Sequence, residues 1–203
     1  MDSYHNIIGI LSSRCIRATG PVGMARFEAP AATTQMAVSF SEIPVHLLER
    51  LARRRMRGGP SSWHGIAFRK DHLISQGGNP ILYAYQGSPL EAGMRGLMDR
   101  ALADDHPADD PVWGITPFVD APGHYAGKPR FFEWEREWRI ASRDFEFSED
   151  DVAFLVMPEV FHEPAVGFFE QAYAEHTGPS YRCPFVDLTW SPVRIGTVLD
   201  NIP

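Results

Sequence analysis

The chain contains only two cysteines, Cys15 and Cys183, among 203 residues. They lie far apart in sequence and match no zinc-binding or redox spacing, so we expect both to be reduced thiols of a cytoplasmic protein. Long apolar runs are also missing, and no segment approaches the roughly 20 apolar residues of a membrane span. The start of the chain, "MDSYHNIIGILSSR", has no basic region followed by a long apolar stretch. We therefore predict neither a secretory signal peptide nor a membrane partner.

Several motifs with well-understood chemistry are absent as well. The chain has no Gly-rich phosphate loop, no nucleophile elbow and no HExxH sequence. None of its eight histidines has a second ligand at metal-binding spacing, so we predict no metal site. The net charge of -7 argues against nucleic-acid binding over the whole surface, although it allows a local basic patch.

The composition and the apolar pattern indicate one globular domain. With 44% apolar and 12% aromatic residues, the chain can bury a core of ordinary size. We predict an α+β fold, a single domain over residues 1–203, with mixed or antiparallel sheets and flanking helices. The expected helices cover about residues 4–14, 45–57, 70–75, 90–102 and 164–177. The expected strands lie in "MAVSFSEIP", 63–68, 80–85, 131–140, "DVAFLVMP", "CPFVDL" and "VRIGTVL".

The segment "FFEWEREWRI", residues 131–140, combines three glutamates, two arginines and two tryptophans. In a strand, alternate residues share a face, and the aromatic content favours a strand here. We expect Trp134 and Trp138 to be buried, with Glu135 and Glu137 together on the opposite face. That face is either a solvated surface balanced by Arg139 or a site in which neighbouring carboxylates take different roles.

A second concentration of charge lies on the helix expected over residues 45–57. It carries five arginines between residues 50 and 57, namely Arg50, Arg53, Arg54, Arg55 and Arg57. They are candidates for binding phosphates of a nucleic acid or carboxylates of a partner protein. Alternatively, they form a solvated helix end, where cations interact favourably with the helix dipole.

Four segments in order resemble the AbiGi-type abortive phage resistance proteins. These are "VSFSEIP", "HGIAFRKDHL", "NPILYAY" and "FEWEREWRI", and the similarity extends from about residue 7 to residue 195. The resemblance implies a role in phage defence by abortive infection, within a toxin–antitoxin pair and usually on the antitoxin side. It implies a cognate toxin or antitoxin protein, or a nucleic acid, as partner.

A second resemblance is to the arginine-serine-glutamate class of ADP-ribosyltransferases. Ser39-Phe40-Ser41 and Glu135-Arg136-Glu137 are similar to its Ser-x-Ser and Glu-x-Glu elements, in the same order. The resemblance implies that NAD is the substrate and that Glu137 binds a ribose hydroxyl and stabilises the oxocarbenium-like state. It further implies that Glu135 orients the acceptor, while Ser39 and Ser41 support the NAD site.

The resemblance breaks down at the first strand, whose His or Arg grips NAD in the transferases. No matching strand is recognisable here, and Arg14 and Arg17 are the candidates to replace it. Two functions therefore stay open. The first is transfer of ADP-ribose from NAD to a macromolecule. The second is a non-enzymatic antitoxin or sensor that binds its partner through Arg50, Arg53, Arg54 and Arg57.

Overall fold

The computed structural model describes residues 3–28, 30, 32–56 and 59–200. The predicted α+β class is confirmed, because helices and small, largely antiparallel sheets alternate along the chain. The α-helices of these ranges are α1 (Ser3–Ser13), α2 (Leu48–Arg55), α3 (Lys70–Ser75), α4 (Pro89–Ala103), α5 (Pro111–Ile115), α6 (His162–Ala174) and α7 (Pro192–Leu199). The strands are β1 (Cys15–Ile16), β2 (Ala37–Ser41), β3 (Gly65–Phe68), β4 (Asn79–Pro80), β5 (Leu82–Tyr83), β6 (Val119–Asp120), β7 (Gly123–Tyr125), β8 (Lys128–Arg130), β9 (Glu137–Ala141), β10 (Phe145–Glu146), β11 (Val152–Val156) and β12 (Phe185–Val186).

The chain divides into two compact units, each assembled from separate stretches of sequence. The first unit comprises Met1–Cys15, Pro44–Leu73 and Glu146–Pro203, and the second comprises Ile16–Ile43 and Ile74–Phe145. Compact units of this kind do not by themselves establish the number of domains. The single domain therefore stays a prediction.

In the first unit, β11 is the central strand of a three-stranded sheet. It pairs in parallel with β12 and antiparallel with β3. A core cluster packs here, to which α2 contributes Ala52 and α7 contributes Ile195, beside Trp63. Burial of these apolar side chains, at roughly 25 cal/mol per Å², anchors both helices. The outer faces of α2 and α7 are therefore exposed to solvent, while their buried faces hold the helices in place.

In the second unit, β9 lies between β2 and β4 in an antiparallel sheet. The strands β5 and β6 form a parallel pair, and β7 and β8 form a hairpin. A cluster around Trp113 joins α4 and α5. Gly23 has φ +78, and a Cβ there would collide with the backbone oxygen of Thr116. Only glycine permits this close approach of two backbone segments.

Three helices start at a capping residue that is followed by proline. The side-chain oxygen of Ser88 accepts a hydrogen bond from Glu91 N (3.2 Å) at the start of α4. Asp110 and Ser191 do the same for α5 and α7, at 2.9 and 3.3 Å. A proline at the first helical position loses nothing, because its missing N–H would have no intrahelical partner. Side-chain caps of this type stabilise a helix by about 1 kcal/mol.

Most expected elements are present, but outside residues 131–140 two details were wrong. Residues 45–57 were expected to be one helix, whereas a 3-10 turn over Val45–Leu47 precedes α2. Gly58, expected to end it, lies outside the described residues. The segment "VRIGTVL", predicted as a strand, forms most of α7, because Ser191 and Pro192 start a helix.

The helix expected over 90–102 is present as α4, which buries Met98 and leaves Leu90, Leu97 and Leu102 exposed. An acidic loop, residues 104–110, separates α4 from α5. Among the described helices, none is long and apolar enough to cross a membrane.

Candidate functional site

The candidate site lies in the second unit, on one face of its three-stranded sheet. In the antiparallel pairing of β2 with β9, Ser39 is opposite Arg139 and Ser41 is opposite Glu137. Directly opposite residues share a face, with Cβ atoms about 4.5–5.5 Å apart. The Ser-x-Ser element and Glu137 are therefore close together on neighbouring strands, and Arg139 lies on the same face.

The strand expected over 131–140 is present only from Glu137 onward. Residues Glu133–Glu135 form a 3-10 turn, and Arg136 adopts the left-handed conformation with φ 48. This conformation is unfavourable for a residue with a Cβ, and the backbone hydrogen bond from Glu42 N to Arg136 O (3.1 Å) helps to hold it. The turn removes Glu135 from the face of Glu137, so the expectation that the two share one face was wrong.

Burial of the individual side chains also differs from the expectation. Glu135, expected to face a cleft or solvent, is only 3% exposed. Trp134 and Trp138, expected in the core, are half-buried. The indole N–H of Trp138 donates to the carboxylate of Glu42 (2.8 Å). The side chain that the sheet face does bury is Arg139, at 3% exposure.

Arg139 donates to three separate acceptors. Its Nε donates to Glu137 Oε1 (2.8 Å), one terminal nitrogen donates to Asp120 Oδ2 (2.7 Å), and the other donates to the carbonyl oxygen of Pro117 (2.5 Å). Burial by itself would lower the pKa of Arg139, but the hydrogen bonds and charges of Glu137 and Asp120 outweigh it, and the pKa is raised. The guanidinium is therefore a charged group in the sheet face, and each of its three nitrogens donates a hydrogen bond.

Two further residues extend this network. Tyr83 lies opposite Asp120 in the β5–β6 pair, and its hydroxyl accepts a hydrogen bond from Glu137 N (3.1 Å). Burial, with a contribution from the charge of Glu137, raises the pKa of Tyr83. Arg26 forms an ion pair with Asp120 (3.5 Å). Two arginines thus balance two carboxylates, and the network carries no net charge near neutral pH.

Glu137 still has a hydrogen-bond acceptor that is available to a ligand. Its Oε1 is held by Arg139, whereas its Oε2 accepts no hydrogen bond from any residue of the described ranges. The side chain is 13% exposed. An ionised carboxylate with one oxygen fixed and the other accessible is suited to accept a hydrogen bond from a hydroxyl group of a ligand.

The remaining predicted NAD-binding residues lie in different places. Ser39 and Ser41 are exposed beside the network. Arg17, in the second unit, is exposed and forms no hydrogen bond or ion pair with the described residues of the network. Arg14 belongs to the first unit, where it pairs with Glu149 (3.7 Å).

Asp120 and Tyr83 were not predicted from the sequence as site residues. Both follow apolar residues at the ends of two-residue strands, and only the pairing of β5 with β6 brings them to Glu137. Strands of this length give too few residues for a period-2 pattern. The one usable signal was Arg139, which lies two residues after Glu137 and therefore on its face.

The predicted partner-binding arginines lie on α2 in the first unit. Arg50, Arg53 and Arg54, with His46 and Glu49, line an open surface depression of about 370 Å³, which we call the α2 depression. Arg55 is exposed but does not line it. Arg57 lies outside the described residues.

No group of three His, Cys, Asp or Glu side chains suited to a metal ion occurs in the described part of the chain. Comparisons of the chain with protein-family models, with curated proteins and with solved structures found no match.

Proposed function

We propose that this chain is an AbiGi-type phage-defence protein with an ADP-ribosyltransferase-like core, which transfers ADP-ribose from NAD to a macromolecular acceptor. The observation that supports the reaction is the register of β2 on β9, which puts Ser39 and Ser41 beside Arg139 and Glu137. The role in phage defence depends on the resemblance of four sequence segments.

Glu137 has the chemistry that the reaction needs. When the bond between ribose and nicotinamide breaks, nicotinamide keeps the bonding electron pair and positive charge develops on the ribose. An acceptor atom then bonds to the same carbon and its proton passes to water. A fixed carboxylate stabilises such a developing charge because it needs no reorganisation. The hydrogen bond from Arg139 to Oε1 of Glu137 fixes the carboxylate. Its Oε2 then accepts a hydrogen bond from a ribose hydroxyl.

Glu135 is not given the acceptor-orienting role in this proposal. With 3% exposure it is shielded from a macromolecular acceptor. Ser39 and Ser41 are exposed hydroxyls beside Glu137, and they are the groups that bind the ribose or the neighbouring phosphates.

The experiment compares Glu137→Gln with Ser41→Ala and with the control Glu170→Gln, which removes an exposed carboxylate on α6. We expect Glu137→Gln to reduce NAD turnover by at least ~100-fold, a typical loss for one group that stabilises transition-state charge. We expect Ser41→Ala to weaken NAD binding without unfolding the protein, and Glu170→Gln to behave as wild type. NAD turnover is measured as the release of nicotinamide. Transfer is measured as the labelling of macromolecules in a cell lysate supplied with labelled NAD.

The fold must be checked separately, because Glu137 is bonded to a buried arginine. Loss of its charge is expected to lower the free energy of unfolding by about 1–3 kcal/mol. Ser41→Ala should not destabilise the protein in this way. Substitutions at exposed positions usually change the free energy of unfolding by no more than about 0.5 kcal/mol. Wild-type protein that neither binds NAD in calorimetry nor transfers label to protein, DNA or RNA would overturn the proposal.

The second candidate is the non-enzymatic antitoxin or sensor. The observation that favours it is the α2 depression, in which exposed arginines line a concave surface. In this case the network around Arg139 is structural, and substitution of Ser41 changes no activity.

A further inference from the structure

We propose that the α2 depression binds the phosphoryl group of a small phosphorylated molecule. Its volume of about 370 Å³ lies at the lower end of the ~300–1,000 Å³ usual for small-molecule sites. The inference concerns the first unit and does not depend on the proposed transferase activity.

Helix geometry brings three arginines to one side of α2. At about 100° per residue, Arg50, Arg53 and Arg54 project within an arc of roughly 100°, whereas Arg55 points about 140° away from Arg50. Side chains three or four residues apart on a helix have Cβ atoms about 5–6 Å apart. Three guanidinium groups can therefore converge on one anion, and each matches the planar, two-donor geometry that phosphate oxygens accept.

The helix that carries these arginines is fixed in place. Ala52, on the opposite side of α2, is buried in the same cluster as Trp63. Arg53 lies over the Trp63 ring, 5.2 Å from its centre, and donates from Nε to Glu49 (2.9 Å). These contacts limit the motion of Arg53, so less side-chain entropy is lost when an anion binds.

The charges of the depression favour an anion. The formal charges of the described arginines and glutamate that line it, three and one, sum to about +2. Among the described lining residues, Glu49 is the group that opposes an anion, and it also orients Arg53. Neutralising Glu49 should strengthen anion binding, whereas neutralising Arg50 or Arg54 should weaken it.

A small ligand fits better than a nucleic acid. Nucleic-acid affinity comes mainly from many phosphate contacts along a strand. Arg50 to Arg54 cover only about 6 Å of helix axis, and the net charge of the chain is -7. Among the described lining residues there is no Phe, Tyr or Trp ring on which a base could stack, and His46 supplies the only ring there.

The test is calorimetric titration with inorganic pyrophosphate at low and moderate salt. We expect wild-type protein to bind it, and the double variant Arg50→Gln, Arg54→Gln to lose at least ~10-fold in affinity, about 1.4 kcal/mol. Arg55→Gln is the matched control, since it removes the same charge from the same helix outside the depression, and should stay within ~2-fold. Glu49→Gln should tighten binding, and added salt should weaken it.

Three results would overturn the inference. The first is no pyrophosphate binding by wild-type protein. The second is an equal loss in Arg55→Gln, which indicates general attraction to a basic helix. The third is arginine-dependent binding of a single-stranded oligonucleotide without pyrophosphate binding, which makes the surface a nucleic-acid site. The double variant is expected to retain NAD turnover, so failure here is distinguishable from failure of the transferase proposal.

Discussion

Replacing Arg139 by Met tests whether the charge network holds the second unit together. The change removes three hydrogen bonds and leaves the carboxylates of Glu137 and Asp120 without their shared cation. These side chains are only 13% and 14% exposed, so water compensates little. Removing one partner of a buried ion pair typically costs about 3–5 kcal/mol, because the other charge remains buried.

For a chain of this size, that loss corresponds to a decrease in Tm of roughly 6–20 °C, at about 2–4 °C per kcal/mol. Urea unfolding followed by tryptophan fluorescence measures the free energy, and a thermal melt gives Tm. The control is Arg143→Met, which removes an exposed arginine from the segment that follows β9 and should change stability by no more than about 0.5 kcal/mol.

A rescue experiment separates charge from packing. If uncompensated charge causes the loss, adding Glu137→Gln and Asp120→Asn to Arg139→Met should restore at least half of it. Buried ion networks can often be replaced by neutral groups at little cost, whereas half-broken ones cannot. A single variant as stable as the control, or a triple variant as unstable as the single one, would refute the reasoning.

Two further predictions concern groups of the first unit. Burial alone would raise the pKa of Asp187, but hydrogen bonds from Thr189 and from Glu159 N (2.7 Å) outweigh it and lower the pKa. Its stabilisation is thus complete above the unfolded-state pKa of about 3.9 and is lost as the pH falls through the folded-state value. Asp187→Asn should cost about 1–3 kcal/mol at pH 7 and less below about pH 4; a difference independent of pH in urea unfolding would contradict this. Burial raises the pKa of Cys183 to about 11, so at pH 8 only about one thiol in a thousand is ionised. Peptide mass spectrometry should show iodoacetamide modifying it at least ~100-fold more slowly in folded than in urea-unfolded protein; equal rates would contradict the assigned burial.

The sequence predicted the elements with a strong local pattern. The helices α1, α4 and α6 and the strands β2, β3 and β11 lie close to their expected positions. Their apolar residues recur with the period of the element, and flanking polar or breaking residues bound them. The same patterns do not indicate how many faces of a helix are buried, and three leucines of α4, Leu90, Leu97 and Leu102, are exposed.

The failed predictions have identifiable physical causes. The strand predicted over 131–140 begins only after Arg136, which has a left-handed backbone. Glycine and asparagine adopt this conformation most readily, so an arginine gives no sequence signal for it. By contrast, the start of α7 was readable, because Ser191 and Pro192 are a capping residue and a favoured first helical residue. The network around Arg139 could be only half predicted. Glu137 and Arg139 are sequence neighbours on one strand face, whereas Asp120 reaches them through long-range pairing.

The division of each unit into separate stretches fixes an order of events during synthesis. Every residue of the second unit precedes residue 146, whereas the core of the first unit is completed by later residues such as Val186 and Ile195. At about 5–20 residues per second, these last 58 residues take roughly 3–12 s to translate. During that interval Ala52 and Trp63 lack Val186 and Ile195, the partners that bury them. The first unit therefore emerges with unburied apolar surface for seconds, the period in which a nascent chain depends most on chaperones.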